Sequence, residues 1–271
     1  MKLIKKIFIQ ILPKKIKERM IFENNLLRNR LIKKFVKLEF WYELEMVNGL
    51  KVIARDQNFS DYDVFKQIIN YREYGGILSL FNLNENFKRE KIIIDAGANV
   101  GYTTIFFSNN LESSMIYGVE PSETNYKIYK ENIKNLEKPD TVKAYHRALS
   151  ENKDSNFIIE RNFHDKRDWS MTTKEVDDID GKTIKGITIA EIIEENKLDY
   201  ISLLKVDIEG AERFIFKKEN DLSFLKITEI IAIEIHDQFV NRKYINEILN
   251  DNNFLLMETG ELTIGIKKSL I

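Results

Sequence analysis

Cysteine is absent from the 271 residues. That excludes disulfides, thiolate nucleophiles and thiolate metal sites, and it fits a reducing, cytoplasmic setting. Three prolines and eleven glycines are too few for a long flexible linker. No stretch is of low complexity, and no repeat of solenoid spacing recurs. Imidazole chemistry is confined to His146, His164 and His236. What remains is a chain 43% hydrophobic, long enough for one sizeable α/β core with a small added segment.

Net charge is only −1, but it is unevenly placed. Residues 1–38 hold nine lysines and three arginines against Glu18 and Glu23, a net of +10, so the rest of the chain carries −11. Within this arm Leu3, Ile4, Ile7, Phe8, Ile11 and Leu12 recur at helical spacing among Lys2, Lys5 and Lys6. The stretch is too short and too charged to span a bilayer, and it lacks a signal peptide's apolar core and cleavage site. A half-buried helix docked on the body or on a second copy is the plain reading. Peripheral contact of residues 1–12 with the inner membrane face is the other. Nucleic acid is not an expected partner, since the acidic body repels phosphate and no recognition motif is present.

The most informative stretch is Ile92-Ile93-Ile94-Asp95-Ala96-Gly97-Ala98-Asn99-Val100-Gly101. It reads as a buried strand, a tight turn and the start of a helix. The bare glycines Gly97 and Gly101 would let a ligand approach the backbone. A dinucleotide fingerprint needs a third glycine, and a P-loop needs Gly-Lys-Ser/Thr; both are missing. Asp95 instead suits a ligand with cationic groups, such as the sulfonium and amino groups of S-adenosylmethionine. A second strand ends in Glu120, at the separation where nucleotide folds place a ribose-binding carboxylate. Such a group only accepts hydrogen bonds and so can grip two neighbouring hydroxyls. The plain alternative for Glu120 is a solvent-facing strand-end acid with Pro121-Ser122 capping the next helix.

Four motifs then carry a resemblance. They are Ile94–Gly101, Val119-Glu120-Pro121-Ser122, Arg147-Ala148-Leu149-Ser150 and Leu204-Lys205-Val206-Asp207-Ile208-Glu209-Gly210-Ala211-Glu212. Together they resemble the FkbM family of S-adenosylmethionine-dependent methyltransferases, from about residue 58 to the C-terminus. The resemblance implies an α/β, Rossmann-like class I methyltransferase fold. Its sheet would be seven-stranded and mostly parallel, with helices on both faces and an antiparallel last strand. The family usually acts on hydroxyls of sugars or polyketide-like products. It implies cofactor contacts from Asp95, Gly97, Ala98, Asn99, Gly101, Glu120, Pro121, Ser122 and Ala148.

The pattern along the chain divides it into residues 1–57, a basic helical arm with a small hairpin, and residues 58–271, the methyltransferase domain. Helix is expected over 14–38, a hairpin at Asn48-Gly49, and a helix from Ser60 ended by Tyr74-Gly75-Gly76. That lead-in would lie over the cofactor mouth as a lid. Strands follow at 91–95, 115–120, 142–147, 201–207 and 227–235, with a final hairpin about Thr259-Gly260. Residues 152–185 read as an insertion, with Trp169 a candidate to line the cleft.

Ligands of open α/β sheets bind at the C-terminal strand ends. There lie Asp207, Glu209, Glu234 and His236, the candidates for acceptor chemistry. His236 is the first choice of general base, because imidazole titrates near neutrality, with Asp207 or Glu234 orienting it or taking the proton. Its plain reading is a satisfied strand-end histidine. For Glu212 the plain reading is favourable charge at a helix N-terminus. A divalent cation on Asp207, Glu234 and His236 is a rival reading, not an expected one. The expected activity is O-methylation of a sugar or glycoconjugate precursor. The rival from another class is a non-catalytic module recruited by its basic arm.

Overall fold

The computed structural model describes residues 13–87, 89–161, 171–176 and 183–271. The expected amphipathic segment 1–12, His164 and Trp169 lie outside the described residues.

Helix α1 (Lys14–Arg28) starts directly after Pro13 and buries Phe22 and Leu26. It stops ten residues short of the expected end. The Asn29 side chain accepts from Leu31 N–H at 3.0 Å and donates to Tyr62 and Asn70, turning the chain out of the helix. The Ile32–Lys37 segment then forms β1, antiparallel to β2 (Tyr42–Met46), which pairs with β3 (Lys51–Ala54). A three-stranded sheet thus replaces the expected hairpin. Its β2–β3 turn is the expected one, with Gly49 at φ +88°. The lead-in helix is also shorter: α2 (Asp61–Phe65) runs into a π turn at Lys66–Asn70. Gly75 opens a new helix, α3 (Gly75–Leu83), rather than ending the first.

The body alternates strands and helices. β4 (Lys91–Ala96), α4 (Tyr102–Asn110), β5 (Ser114–Val119), α5 (Glu123–Lys134) and β6 (Val142–Tyr145) form the first half. A four-stranded excursion follows in the order β7-β10-β8-β9: β7 (Ala148–Leu149), β8 (Asn156–Arg161), β9 (Met171–Val176) and β10 (Ile184–Ile187). Helix α6 (Ile189–Asn196) opens with a capping box between Thr188 and Glu191. Then come β11 (Ile201–Val206), α7 (Glu212–Ile215), α8 (Phe224–Ile227), β12 (Thr228–Glu234), α9 (Arg242–Asp251), β13 (Phe254–Thr259) and β14 (Leu262–Lys267).

The main sheet has seven strands in the order β13-β14-β12-β11-β4-β5-β6. The pairs from β12 to β6 are parallel, and β14 runs antiparallel to β12. This is the expected sheet with its reversed last strand. β4 and β11 are buried along their whole length, as a doubly covered parallel sheet requires. Alternation splits their side chains between two cores. Ile93, Leu203 and Ile230 face one core with the residues of α1, β2, α3 and α4. Ile94, Leu204 and Ile231 face the other, with α7, α8 and α9. Side chains from both sides of residue 57, such as Leu44 and Tyr102, share the first core. The order reverses between β4 and β11, so the crevice beyond their C-terminal ends is where a ligand is expected.

Candidate active site

A cavity of about 300 Å³ opens at that crevice. Gly97, Ala98 and Asn99 form its floor. Lys205, Asp207, Glu209, Glu234 and His236 come from the ends of β11 and β12, and Gln67, Ile68, Glu73 and Tyr74 from the lead-in. The lead-in therefore forms a wall, in the place expected of the lid. Gly101, Glu120, Pro121, Ser122 and Ala148 are not among the cavity's lining residues.

The turn after β4 is held by protein contacts. Gly97 and Gly101 have φ of +81° and +90°, and Asn99 has +51°, a region that glycine enters freely and asparagine more readily than most. A Cβ on Gly97 would lie 1.7 Å from the Asp207 carbonyl oxygen, and one on Gly101 would lie 2.2 Å from the Tyr129 ring. The side-chain direction at both positions is taken by the protein itself, while the Gly97 backbone still lines the cavity. The glycines shape the cradle by letting β11 and α5 close on it.

Asp95, expected to meet a cationic ligand, is turned inward. It is fully buried. Thr104 donates to its Oδ2 at 3.1 Å, and Lys205 Nζ lies 3.3 Å from its Oδ1. Lys205 had no role assigned from sequence. Its ammonium donates to the Gly97 carbonyl at 2.7 Å and lies 3.6 Å from Asp207. Burial by itself would discharge this lysine. Asp95 and Asp207 outweigh burial and hold its pKa above the ordinary lysine value. The signal was the one charged residue in the buried run Ile201–Val206.

Glu120 lies past the end of β5. Its carboxylate accepts from Asn99 N–H and Ser122 N–H, each at 2.8 Å, and from Asn125 Nδ2 at 3.4 Å. Of the four lone-pair directions of a carboxylate, one is left for a ligand hydroxyl. Burial raises its pKa to about 7 against the pull of these hydrogen bonds. Ser122 caps α5, its Oγ accepting from Asn125 N–H. The Pro121 carbonyl meets His146 Nε2 at 3.1 Å, and that ring stacks on Tyr126. Ala148 is buried in β7.

The acceptor candidates converge on one cavity, as expected. His236 Nδ1 meets Glu212 Oε1 at 3.2 Å; its Nε2 lies 3.4 Å from Glu209 and 3.7 Å from Glu234. Burial opposes charge on the ring, but hydrogen bonds to Glu209 and Glu212 prevail and push its pKa up to about 11. His236 is thus an imidazolium near neutral pH, not the neutral base expected of it. Glu234 lies 3.7 Å from that ring. Burial, then the neighbouring charge of Asp207, raises its carboxyl to about 8. Glu212 is in the first turn of α7, as its plain reading has it, and does more than that. It is fully buried and accepts from Ile208 N–H at 3.0 Å as well as facing His236.

Among the described residues, Asp207, Glu209 and His236 bring ligand atoms within 4.8 Å of one another. This set differs from the sequence-derived Asp207, Glu234 and His236 by the exchange of Glu209 for Glu234. Both ring nitrogens of His236 face carboxylates of this cluster and its surroundings.

Residues 95–257 match the family described as "Methyltransferase FkbM domain", more than half of the chain. The chain belongs to the FkbM methyltransferases. The chemistry of this family is methyl transfer from S-adenosylmethionine. The residues present fit that cofactor in two respects: Glu120 is a nearly buried carboxylate with one acceptor direction left, and the cavity's acids outnumber its cations. Solved structures with similar folds include a precorrin-6y C5,15-methyltransferase from Geobacter metallireducens, 12% identical, covering 72% of this chain and 87% of that one at a TM-score of 0.40. A magnesium protoporphyrin IX methyltransferase from Synechocystis PCC 6803, solved with bound SAH, is 10% identical and covers 73% and 83% at 0.39. A methyltransferase from Geobacter sulfurreducens is 12% identical and covers 76% and 88% at 0.41. A search of the curated proteins gives no match. No described helix of this methyltransferase is long and apolar enough to cross a membrane.

Proposed function

We propose that this FkbM methyltransferase methylates a hydroxyl of a sugar or glycoconjugate precursor, with Glu234 as general base. The observation that carries the reading is the position of Glu234. Its carboxyl lies at the end of β12, in the same cavity as the Gly97–Asn99 turn, with its pKa raised to about 8. When bound, S-adenosylmethionine supplies an electrophilic methyl group. Everything else is the work of the chain. Glu120 accepts a ribose hydroxyl, and the turn at Gly97–Asn99 receives the methionine end. Ionised Glu234 takes the proton from the acceptor hydroxyl. Asp207 and Glu209 accept hydrogen bonds from further hydroxyls of the same acceptor, which favours a polyol over an apolar alcohol. His236, 3.7 Å from Glu234, offsets the negative charge that would otherwise accumulate in the cluster.

The test is to incubate the protein with methyl-labelled S-adenosylmethionine and a panel of free sugars, nucleotide sugars and glycans, then to locate the label by mass spectrometry. Label on a sugar oxygen, lost in Glu234→Gln, is the expected result. Label confined to nitrogen or carbon would overturn the O-methyl reading. Failure of S-adenosylhomocysteine to bind in calorimetry at millimolar concentration would instead favour a non-catalytic module.

A further inference from the structure

One wall of the cavity is built outside the matched family segment 95–257. Val64, Gln67, Ile68, Glu73 and Tyr74 precede it, and Glu261 follows it. Two backbone irregularities fall within seven residues of this wall. The π turn Lys66–Asn70 is closed by Tyr71 N–H donating to the Lys66 carbonyl at 2.8 Å. Arg72 then adopts φ +53°, a left-handed conformation that a residue with a long side chain rarely holds. Both features are costly and recur at functional sites.

The surrounding structure holds them in place. Asn70 and Asn29 exchange side-chain hydrogen bonds at 3.1 and 3.0 Å. The Arg72 guanidinium lies 5.3 Å over the Phe106 ring of α4, and the buried Tyr74 packs on Phe107. The result is that Gln67 and Glu73 both reach the cavity, with Gln67 Nε2 donating to Glu73 Oε1 at 2.8 Å. That bond uses one amide proton and one carboxylate oxygen. The amide keeps a donor and an acceptor, and the carboxylate keeps an oxygen.

The side of the sheet on which they lie is informative. The charges that act on Glu73 are Asp207, Lys205 and Glu261. These belong to β11 and to the turn before β14, next to Glu234. Glu120 lies across β4, on the β5 side. The pair therefore lies on the Glu234 side of the cavity, which the proposed function gives to the acceptor.

We infer that Gln67 and Glu73 select the acceptor: they hold neighbouring hydroxyls of a polyhydroxylated acceptor and so decide which hydroxyl meets Glu234. This rests on the sugar-hydroxyl reading given above. An amide beside a carboxylate offers one donor and several acceptors on a rigid frame, which matches the alternating donor and acceptor roles of vicinal hydroxyls. An apolar acceptor would leave these polar groups unpaired, a strong basis for discrimination.

The test compares wild type, Gln67→Ala and Glu73→Gln, each saturated with S-adenosylhomocysteine. The probes are methyl α-D-glucopyranoside, methyl α-D-mannopyranoside and methyl α-D-galactopyranoside, followed by saturation-transfer NMR. Calorimetry gives the affinity for S-adenosylhomocysteine, and thermal melting checks that the isosteric Glu73→Gln folds as wild type. Wild type is expected to bind at least one glycoside, and either variant to weaken it tenfold or more. Affinity for S-adenosylhomocysteine should stay within twofold. Where a bound glycoside is also methylated, the ratio of methylated positions should change. An equal loss of S-adenosylhomocysteine affinity would place the pair in the cofactor site and overturn the inference. So would variants that bind glycosides like wild type, or a wild type that binds none. A glycoside that is bound through the pair but never methylated would leave the inference standing and sink the O-methylation reading instead.

Discussion

Lys205 stands directly beside Asp95 in the register of the two central parallel strands, with its ammonium 3.3 Å from the Asp95 carboxylate. Both side chains are almost wholly removed from solvent. The same ammonium holds the Gly97 carbonyl and faces Asp207. One cation thus ties the turn after β4 to the Asp207 carboxylate after β11, across the point where the strand order reverses.

Removing that cation alone should be severe. Lys205→Met leaves Asp95 buried without a counter-charge, a defect that typically costs about 3–5 kcal/mol. Urea unfolding should register this loss. The double variant Asp95→Asn/Lys205→Met removes both charges and should recover most of it. If the single variant unfolds like wild type, the buried Asp95 carboxylate does not depend on Lys205 for its counter-charge.

The Glu234 assignment predicts how rate depends on pH. A carboxyl raised to about 8 is protonated below that value and cannot accept a proton. Turnover should therefore rise with pH through about 8 and level off above it. Glu234→Gln should lower kcat by roughly 10²–10⁴, the usual share of a general base, with little change in cofactor affinity. A pH–rate profile flat from 6 to 9 would remove Glu234 from this role.

Much of this was legible in the sequence. The apolar runs ending in Asp95, Asp207 and Glu234 marked the buried parallel strands and the edge at which their polar ends gather. The charge states were not legible. Whether His236 acts as a base or as a cation depends on Glu209 and Glu212 reaching its two ring nitrogens, and Glu212 does so from a helix start whose local sequence suggested only a favourable end charge. The purpose of Gly97 was hidden for a related reason. Its close approach is to the Asp207 carbonyl, 110 residues away in sequence, and no local pattern encodes that contact. The strand at Ile32–Lys37 was missed because its lysines read as a continuation of the basic helix, while Asn29 had already broken it.

Glu120 gives a second pH dependence, on binding rather than rate. Its pKa of about 7 means that the acceptor form needed by a ribose hydroxyl is lost as pH falls through 7. Affinity for S-adenosylhomocysteine should be weaker at pH 6 than at pH 8. Glu120→Gln should weaken it by roughly tenfold to a hundredfold at pH 8, the value of a hydrogen bond to a charged group. Calorimetry at the two pH values decides the matter; equal affinities would mean that this carboxylate does not bind the cofactor.

His236 yields a prediction on stability and one on metal. Its pKa is raised from 6.5 to about 11 in the folded state. The stabilisation from its carboxylate partners is thus fully present below pH 6.5 and is lost as pH climbs towards 11. The difference in unfolding free energy between wild type and His236→Gln should be largest near pH 6 and shrink by pH 10. Loss of the imidazolium leaves Glu212, which is fully buried, facing an uncharged amide, so the difference near pH 6 should be about 3 kcal/mol. The same charge already answers Glu209 and Glu212, so a divalent cation at this cluster would have to displace a proton from His236 first. Turnover should therefore persist in excess EDTA. Abolition by the chelator, with restoration by one divalent ion, would show that Asp207, Glu209 and His236 bind metal and that the imidazolium is only its substitute.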